Sequence, residues 1–115
     1  MMEKDFFFID EYNKKMVFHR KLFYDFICLC IELVFNSKAE MNSIHLNFLN
    51  FLNELESYQD VYFLTSELTE YWALCIFENN KSIHELSIED SDKFSFLYKE
   101  FLSKNKIQDF VEKIN

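Results

Sequence analysis

Neither glycine nor proline occurs anywhere in the 115 residues, where average usage of ~7% and ~5% would supply roughly eight and six. Every turn that needs a positive φ must therefore fall on Asn, Asp or Ser. The absence also restricts chemistry. Glycine-rich loops let backbone amides approach a phosphate closely, so neither a Walker-type loop nor a dinucleotide-binding loop can be written in this sequence. A serine or cysteine nucleophile likewise lacks the glycine-flanked elbow that would strain and expose it.

What the chain has instead is apolar bulk. Half of its residues are hydrophobic and 15 are phenylalanine, ample for one core, and a chain of this length buries about two-thirds of its unfolded surface as a single domain, residues 1–115. The most apolar run, LFYDFICLCIELVF at residues 22–35, is broken by Asp25 and Glu32. It is shorter than the ~20 residues a membrane span requires and carries two charges that are costly in lipid, so it reads as a buried helix. The first residues, MMEKDFFFIDEY, carry acids where a signal peptide has a basic flank. A cytoplasmic protein with no membrane partner is expected. Cys28, Cys30 and Cys75 are odd in number, and the first two point to different sides of a helix, which favours three buried reduced thiols over a metal site.

The periodicity predicts an all-α fold, a compact bundle of about five helices, with room for a short strand pair between residues 60 and 90. A central helix is expected over residues 10–36, with Leu22, Phe26, Leu29 and Leu33 on its apolar side. SKAE at 37–40 matches a capping box and would start a second helix. In that helix Met41, Ile44, Phe48, Phe51, Leu52 and Leu55 recur at three and four, opposite a ridge of Ser43, Asn47, Asn50 and Glu54. The three-residue beat of LNFLNFLNELESYQD, 46–60, is thus helical; a leucine-rich repeat would need several copies. Residues 91–104 form the clearest helix, and NKIQ at 105–108 reads as the cap of a short last one. Between 60 and 90 the pattern is divided. Leu68, Tyr71, Trp72, Cys75 and Ile76 suit a helix, with SIHE at 82–85 a further capping box, while a hairpin turning at Asn79 and Asn80 is the rival and VYFL at 61–64 the best strand candidate.

Charge is distributed unevenly. Residues 1–38 hold six acids and six bases, and residues 93–115 hold three acids and five bases. Residues 39–92 hold Glu40, Glu54, Glu56, Asp60, Glu67, Glu70, Glu78, Glu85, Glu89, Asp90 and Asp92 against Lys81 alone. Acid tracts commonly serve only to solvate a surface. Eleven acids to one base leaves most of these without a local partner, and such a surface speeds association with a basic protein by ~10 to 10³. It repels nucleic acid, whose phosphates need a basic footprint. Tyr58, Tyr62, Tyr71 and Trp72 interleave with the acids; buried they are core, and exposed they are the anchors typical of interface centres. The candidate partner-binding residues are accordingly Asn47, Asn50, Glu54, Glu56, Tyr58, Asp60, Tyr62, Glu67, Glu70, Tyr71 and Glu78.

No catalytic arrangement competes with this reading. His19, His45 and His84 fit no metal-ligand spacing and are expected at the surface or at caps. Acid pairs such as Glu54 with Glu56 have no adjacent nucleophile. No enzyme activity and no cofactor are expected.

A small, acidic, glycine-free domain of this kind resembles the immunity proteins that neutralise bacterial toxins, including those of colicin-type and contact-dependent growth inhibition systems. The resemblance rests on size, charge and composition. It implies a cytoplasmic inhibitor of a basic toxin nuclease, whose acidic surface fills the nucleic-acid cleft. A phage-encoded inhibitor of a host nucleic-acid-binding complex would use the same electrostatics, and a structural or oligomerising helical bundle is the alternative of a different class.

Overall fold

The structure, a computed structural model, describes residues 5–38, 40–78 and 86–114. Its first element boundary is set by Asp10, whose Oδ1 accepts from the amides of Tyr12 at 2.9 Å and Lys14 at 2.8 Å. Asn13 N donates to Asp10 O at 3.1 Å, Asp10 N donates to Lys14 O at 3.0 Å, and Asn13 takes φ 63°. This is a three-residue hairpin loop, a tight turn followed by a left-handed residue. It joins β1 (Phe6–Ile9) to β2 (Lys15–Phe18). The helix expected from residue 10 is corrected here: α1 spans Arg20–Val34. In FFFI the period of two decides the matter, with Phe8 buried while Phe7 and Ile9 are exposed.

The start of the next expected helix also moves. Asn36 takes φ 51° and Ser37 N returns to Ile31 O at 3.4 Å, so Ser37 closes α1 instead of capping a second helix. Helix α2 (Ser43–Asn53) starts at the cap residue Asn42, whose side chain accepts from His45 N at 2.8 Å. Asn42 Nδ2 also donates to Ile76 O at 2.7 Å. Ser37 lies in the closing turn of α1, and Asn42 takes the cap position of α2.

Residues 61–64 are helical, within α3 (Tyr58–Thr65), which Ser57 caps and which buries Val61 and Leu64. Helix α4 (Thr69–Glu78) takes the helical reading of its segment. The proposed hairpin turn at Asn79 and Asn80, and the capping box at 82–85, lie outside the described residues. Helix α5 (Ile88–Lys104) starts at Ser87, whose Oγ accepts from Asp90 N at 3.0 Å.

NKIQ ends this helix and starts no other. Lys106 takes φ 57°, its amide reaches Ser103 O at 3.2 Å and Ile107 N reaches Leu102 O at 3.1 Å, the paired bonds of a Schellman stop. The chain then runs into β3 (Val111–Lys113), which pairs with the free side of β2. Among the described residues two of the three positive-φ positions fall on Asn, and the third, on Lys106, departs from the expected Asn, Asp or Ser.

The described residues thus form five helices and a small antiparallel sheet of order β1-β2-β3. The architecture is the mostly helical one expected, but the strands come from residues 6–18 and 111–113 instead of 60–90. Helix α1 is central, burying Phe23, Phe26, Ile27, Cys30, Ile31 and Val34 mainly against α4 and α5. Phe110 anchors the C-terminal segment on this core, with its ring 5.4 Å from Phe23 and 5.8 Å from Phe26. Arg20 is buried, donates to Leu52 O at 2.9 Å and lies 5.7 Å over the Phe6 ring. All three cysteines are free, but only Cys30 is buried; Cys28 and Cys75 are half-buried. No helix among the described residues is long and apolar enough to cross a membrane.

Candidate functional site

The corner between α3 and α4 faces α5 and the segment leading to β3. Ser66 N closes α3 on Tyr62 O at 2.8 Å, and Tyr71 N reaches Leu68 O at 3.0 Å, which leaves Glu67 and Leu68 exposed on the corner. Across from them stand Ser95 and Tyr98 of α5 and residues 109–111. The groove between has a volume of about 620 Å³, in the range of pockets that hold ligand groups. Its floor is Phe23 and Phe110, its walls include Tyr62 and Tyr98, and its rim carries Glu67, Glu70 and Asp109. No Lys, Arg or His is among its described lining residues.

The tyrosines are held as neutral donors. Tyr98 Oη donates to Asp109 Oδ1 at 3.0 Å, and burial, followed by the charge of Asp109, pushes its phenol up to about 12. Tyr62 is raised by burial and then by Glu11 and Asp10. That dependence brings the acidic β1–β2 turn beside the groove wall. Glu70, half-buried, accepts from Thr69 Oγ1 at 3.3 Å.

The residues singled out from sequence divide between faces. Tyr62, Glu67 and Glu70 share the acidic groove; Tyr58 does not line it but packs on Tyr62, with the rings 5.5 Å apart in a T-shaped contact. Asp60 has a structural task, accepting from Glu56 N at 2.8 Å; Glu56 itself is exposed. Asn47 belongs elsewhere. It lines a smaller apolar groove of about 240 Å³ with Phe51, Phe63 and Trp72, so the adjacent residues Tyr62 and Phe63 serve different grooves. Asn50 and Glu54 are exposed at the end of α2. Tyr71 packs on Trp72 at 5.2 Å and is raised first by a hydrogen bond to Cys75, then by its charge and by burial. Glu78 is the last residue of α4.

Trp72 is half-buried, its Nε1 donating to Leu64 O at 2.8 Å. Sequence reasoning misses Tyr98, Asp109, Asp10 and Glu11. By spacing Tyr98 falls on the apolar face of its helix, and the other three lie in segments whose charges balance or are net basic. The signal that could have found Asp10 and Glu11 is the DEYN turn at 10–13.

The histidines match the expectation of surface or cap positions only in part: His19 sits at the N-cap position of α1, without a side-chain capping bond. His45, expected at the surface or at a cap, is 1% exposed. Its Nδ1 lies 2.8 Å from Glu40 O and its Nε2 lies 2.7 Å from Tyr24 Oη; a carbonyl only accepts, so Nδ1 carries the proton and Tyr24 donates to Nε2. His19 is mostly buried between Asp5 and Glu112, and His84 lies outside the described residues. Among the described residues no three His, Cys, Asp or Glu side chains gather as a metal-binding group. No protein-family model, curated protein or solved structure matches this chain.

Proposed function

We propose that this chain is a protein inhibitor that takes a basic segment of its partner into the acidic groove, and that the partner is the nucleic-acid cleft of a toxin nuclease. One observation carries the reading: three carboxylates rim an aromatic-floored groove with no base among its described lining residues. A lysine or arginine entering it lays its aliphatic stem along Leu68 and Phe110 and brings its charge to Glu67, Glu70 and Asp109. Clefts built to grip phosphates are rich in such side chains, and a net charge of −8 steers this chain toward them. The groove has a binding role in this reading and no chemistry of its own.

The test uses the partner captured from cells by the wild-type chain and then purified. Association should slow steeply between about 0.01 M and 0.1 M salt, as the Debye length falls from about 30 Å to 10 Å, and the complex should block cleavage of nucleic acid by the partner. A rate indifferent to salt, or a partner that keeps its nucleic-acid binding in the complex, rejects the proposal.

A further inference from the structure

The open edge of the sheet has a polarity that the hydrogen bonds define. His19 N donates to Phe110 O at 2.8 Å and Ile114 N donates to Lys15 O at 2.9 Å, so residues 15, 17 and 19 turn their backbone groups toward β3. In an antiparallel sheet the groups alternate; Met16 and Phe18 therefore turn toward β1, where they face Phe8 and Phe6. Phe7 and Ile9, opposite Val17 and Lys15, consequently direct their amides and carbonyls outward. Among the described residues no strand pairs with that side of β1.

The side chains of these two residues are also uncovered, Phe7 at 66% and Ile9 at 54% exposed. Natural sheets blunt such an edge with short strands, proline, an inward-pointing charge or a bulge; FFFI has only the first of these, a length of four residues. The strand is bracketed by acids instead. Asp5 precedes it, and Asp10 and Glu11 come after it. The bases nearest the turn, Lys14 and Lys15, lie on the central strand side, about 4.8 Å farther from the edge. A second copy is a poor occupant: the two-fold register that pairs Phe7 with Ile9 sets Asp5 against Glu11 of the other copy, and both copies carry −8.

We propose that β1 accepts an extended strand of the same basic partner, paired through the backbone of Phe7 and Ile9, with Lys or Arg at the ends of the incoming strand meeting Asp5, Asp10 and Glu11. Strand addition of this kind takes affinity from main-chain bonds and specificity from flanking and alternate side chains. The edge continues into the acidic groove through the turn, where Glu11 and Asp10 stand beside Tyr62, so one partner can engage both. The inference rests on the basic-partner reading and adds a second point of attachment.

The probe is a synthetic peptide of alternating valine and threonine flanked by lysine pairs, with a glutamate-flanked version as control. Amide NMR and hydrogen exchange are followed on the full chain. The lysine peptide should shift the Phe7 and Ile9 amides and slow their exchange at least tenfold, and the glutamate peptide should not. Phe7→Pro removes an outward amide that the β1–β2 ladder does not use, so it should abolish protection while circular dichroism stays helical. Phe7→Thr keeps the amide and separates loss of binding from loss of fold. Slow exchange at Phe7 and Ile9 without peptide, together with a dimer in solution, would assign the edge to a second copy and overturn the proposal. Shifts confined to Tyr62, Glu67 and Tyr98 would also overturn it while supporting the groove, and peptide binding at neither place would count against both.

Discussion

His19 Nε2 lies 2.7 Å from Glu112 Oε1, a contact across 93 positions of sequence that ties the start of α1 to β3. The other ring nitrogen, Nδ1, lies 3.1 Å from Asp5 Oδ1. One imidazole therefore joins the residue before β1, the β2–α1 junction and the C-terminal strand. Hydrogen bonds to charged groups contribute about 1.5 to 3 kcal/mol when sheltered and less when wet, and these carboxylates are partly exposed. His19→Ala should therefore lower stability by about 1 to 2 kcal/mol, read as a lower urea midpoint with unchanged slope. Glu112→Ala should give part of the same loss, and the two should not add.

Charge reversal separates the groove from the acid tract around it. Glu67→Lys with Glu70→Lys should slow association with the basic partner by about tenfold or more, while the paired reversal at the exposed residues Glu32 and Glu100 leaves it within a factor of about two. Glu67 is exposed, so its contribution to the change in folding stability should stay near 0.5 kcal/mol. Equal effects from both pairs, measured by stopped-flow mixing, would make the groove no more than solvated surface.

Tyr24→Phe removes the hydroxyl that donates to buried His45 Nε2 and leaves that nitrogen without its partner. The cost should be about 1 to 3 kcal/mol. Denaturant unfolding checks it; a change below about 0.5 kcal/mol would mean that water replaces the phenol.

Alkaline pH should unfold the protein earlier than its net charge alone implies. Burial raises Cys28, Cys30, Tyr24 and Tyr98 above their ordinary values. In the unfolded chain these groups ionise first, so above their unfolded pKa values the folded state holds more protons and stability falls with rising pH. It should be fully present below about pH 8, begin to fall as the thiols ionise near 8.5, and fall further as the tyrosines ionise near 10. Thermal midpoints across that interval read the effect. Cys30→Ala should remove part of the slope.

Lys106 holds φ 57° in the Schellman stop of α5, a conformation that costs a residue with a Cβ roughly 1 to 2 kcal/mol. Lys106→Gly, the one glycine this chain would then have, should stabilise by up to about 1 kcal/mol after the greater entropy of the unfolded chain is counted. A destabilised variant would show that the lysine side chain contributes more than its backbone costs.

Helix content, the apolar faces of α2 and α5, and the excess of acid over base were legible in the sequence, because each depends on residues three and four apart or on simple counting; on the expected apolar side of α1, Phe26 is buried but Leu33 is 55% exposed. The missing glycine pointed to Asn, Asp or Ser in left-handed turns, which holds at Asn36 and at Asn13, a position expected inside the central helix, and fails at Lys106. Only the tertiary structure decided where the helices stop and start. Ser37 and Asn105 carry sound capping patterns, yet the first closes one helix and the second ends another, since each is held in the closing turn of the preceding helix, by Ser37 N to Ile31 O and Asn105 N to Phe101 O. FFFI pairs as a strand because KMVF lies within a tight turn's reach and β3 arrives from the far end of the chain to complete the sheet. The same long-range closure carries Asp109 to Tyr98 and sets residues 109–111 across from Glu67. It buries His45 against Tyr24, and it makes a groove from acids that no local pattern groups. Contacts between distant segments leave no periodic trace in the chain, which is why the face was readable as acidic but its shape was not.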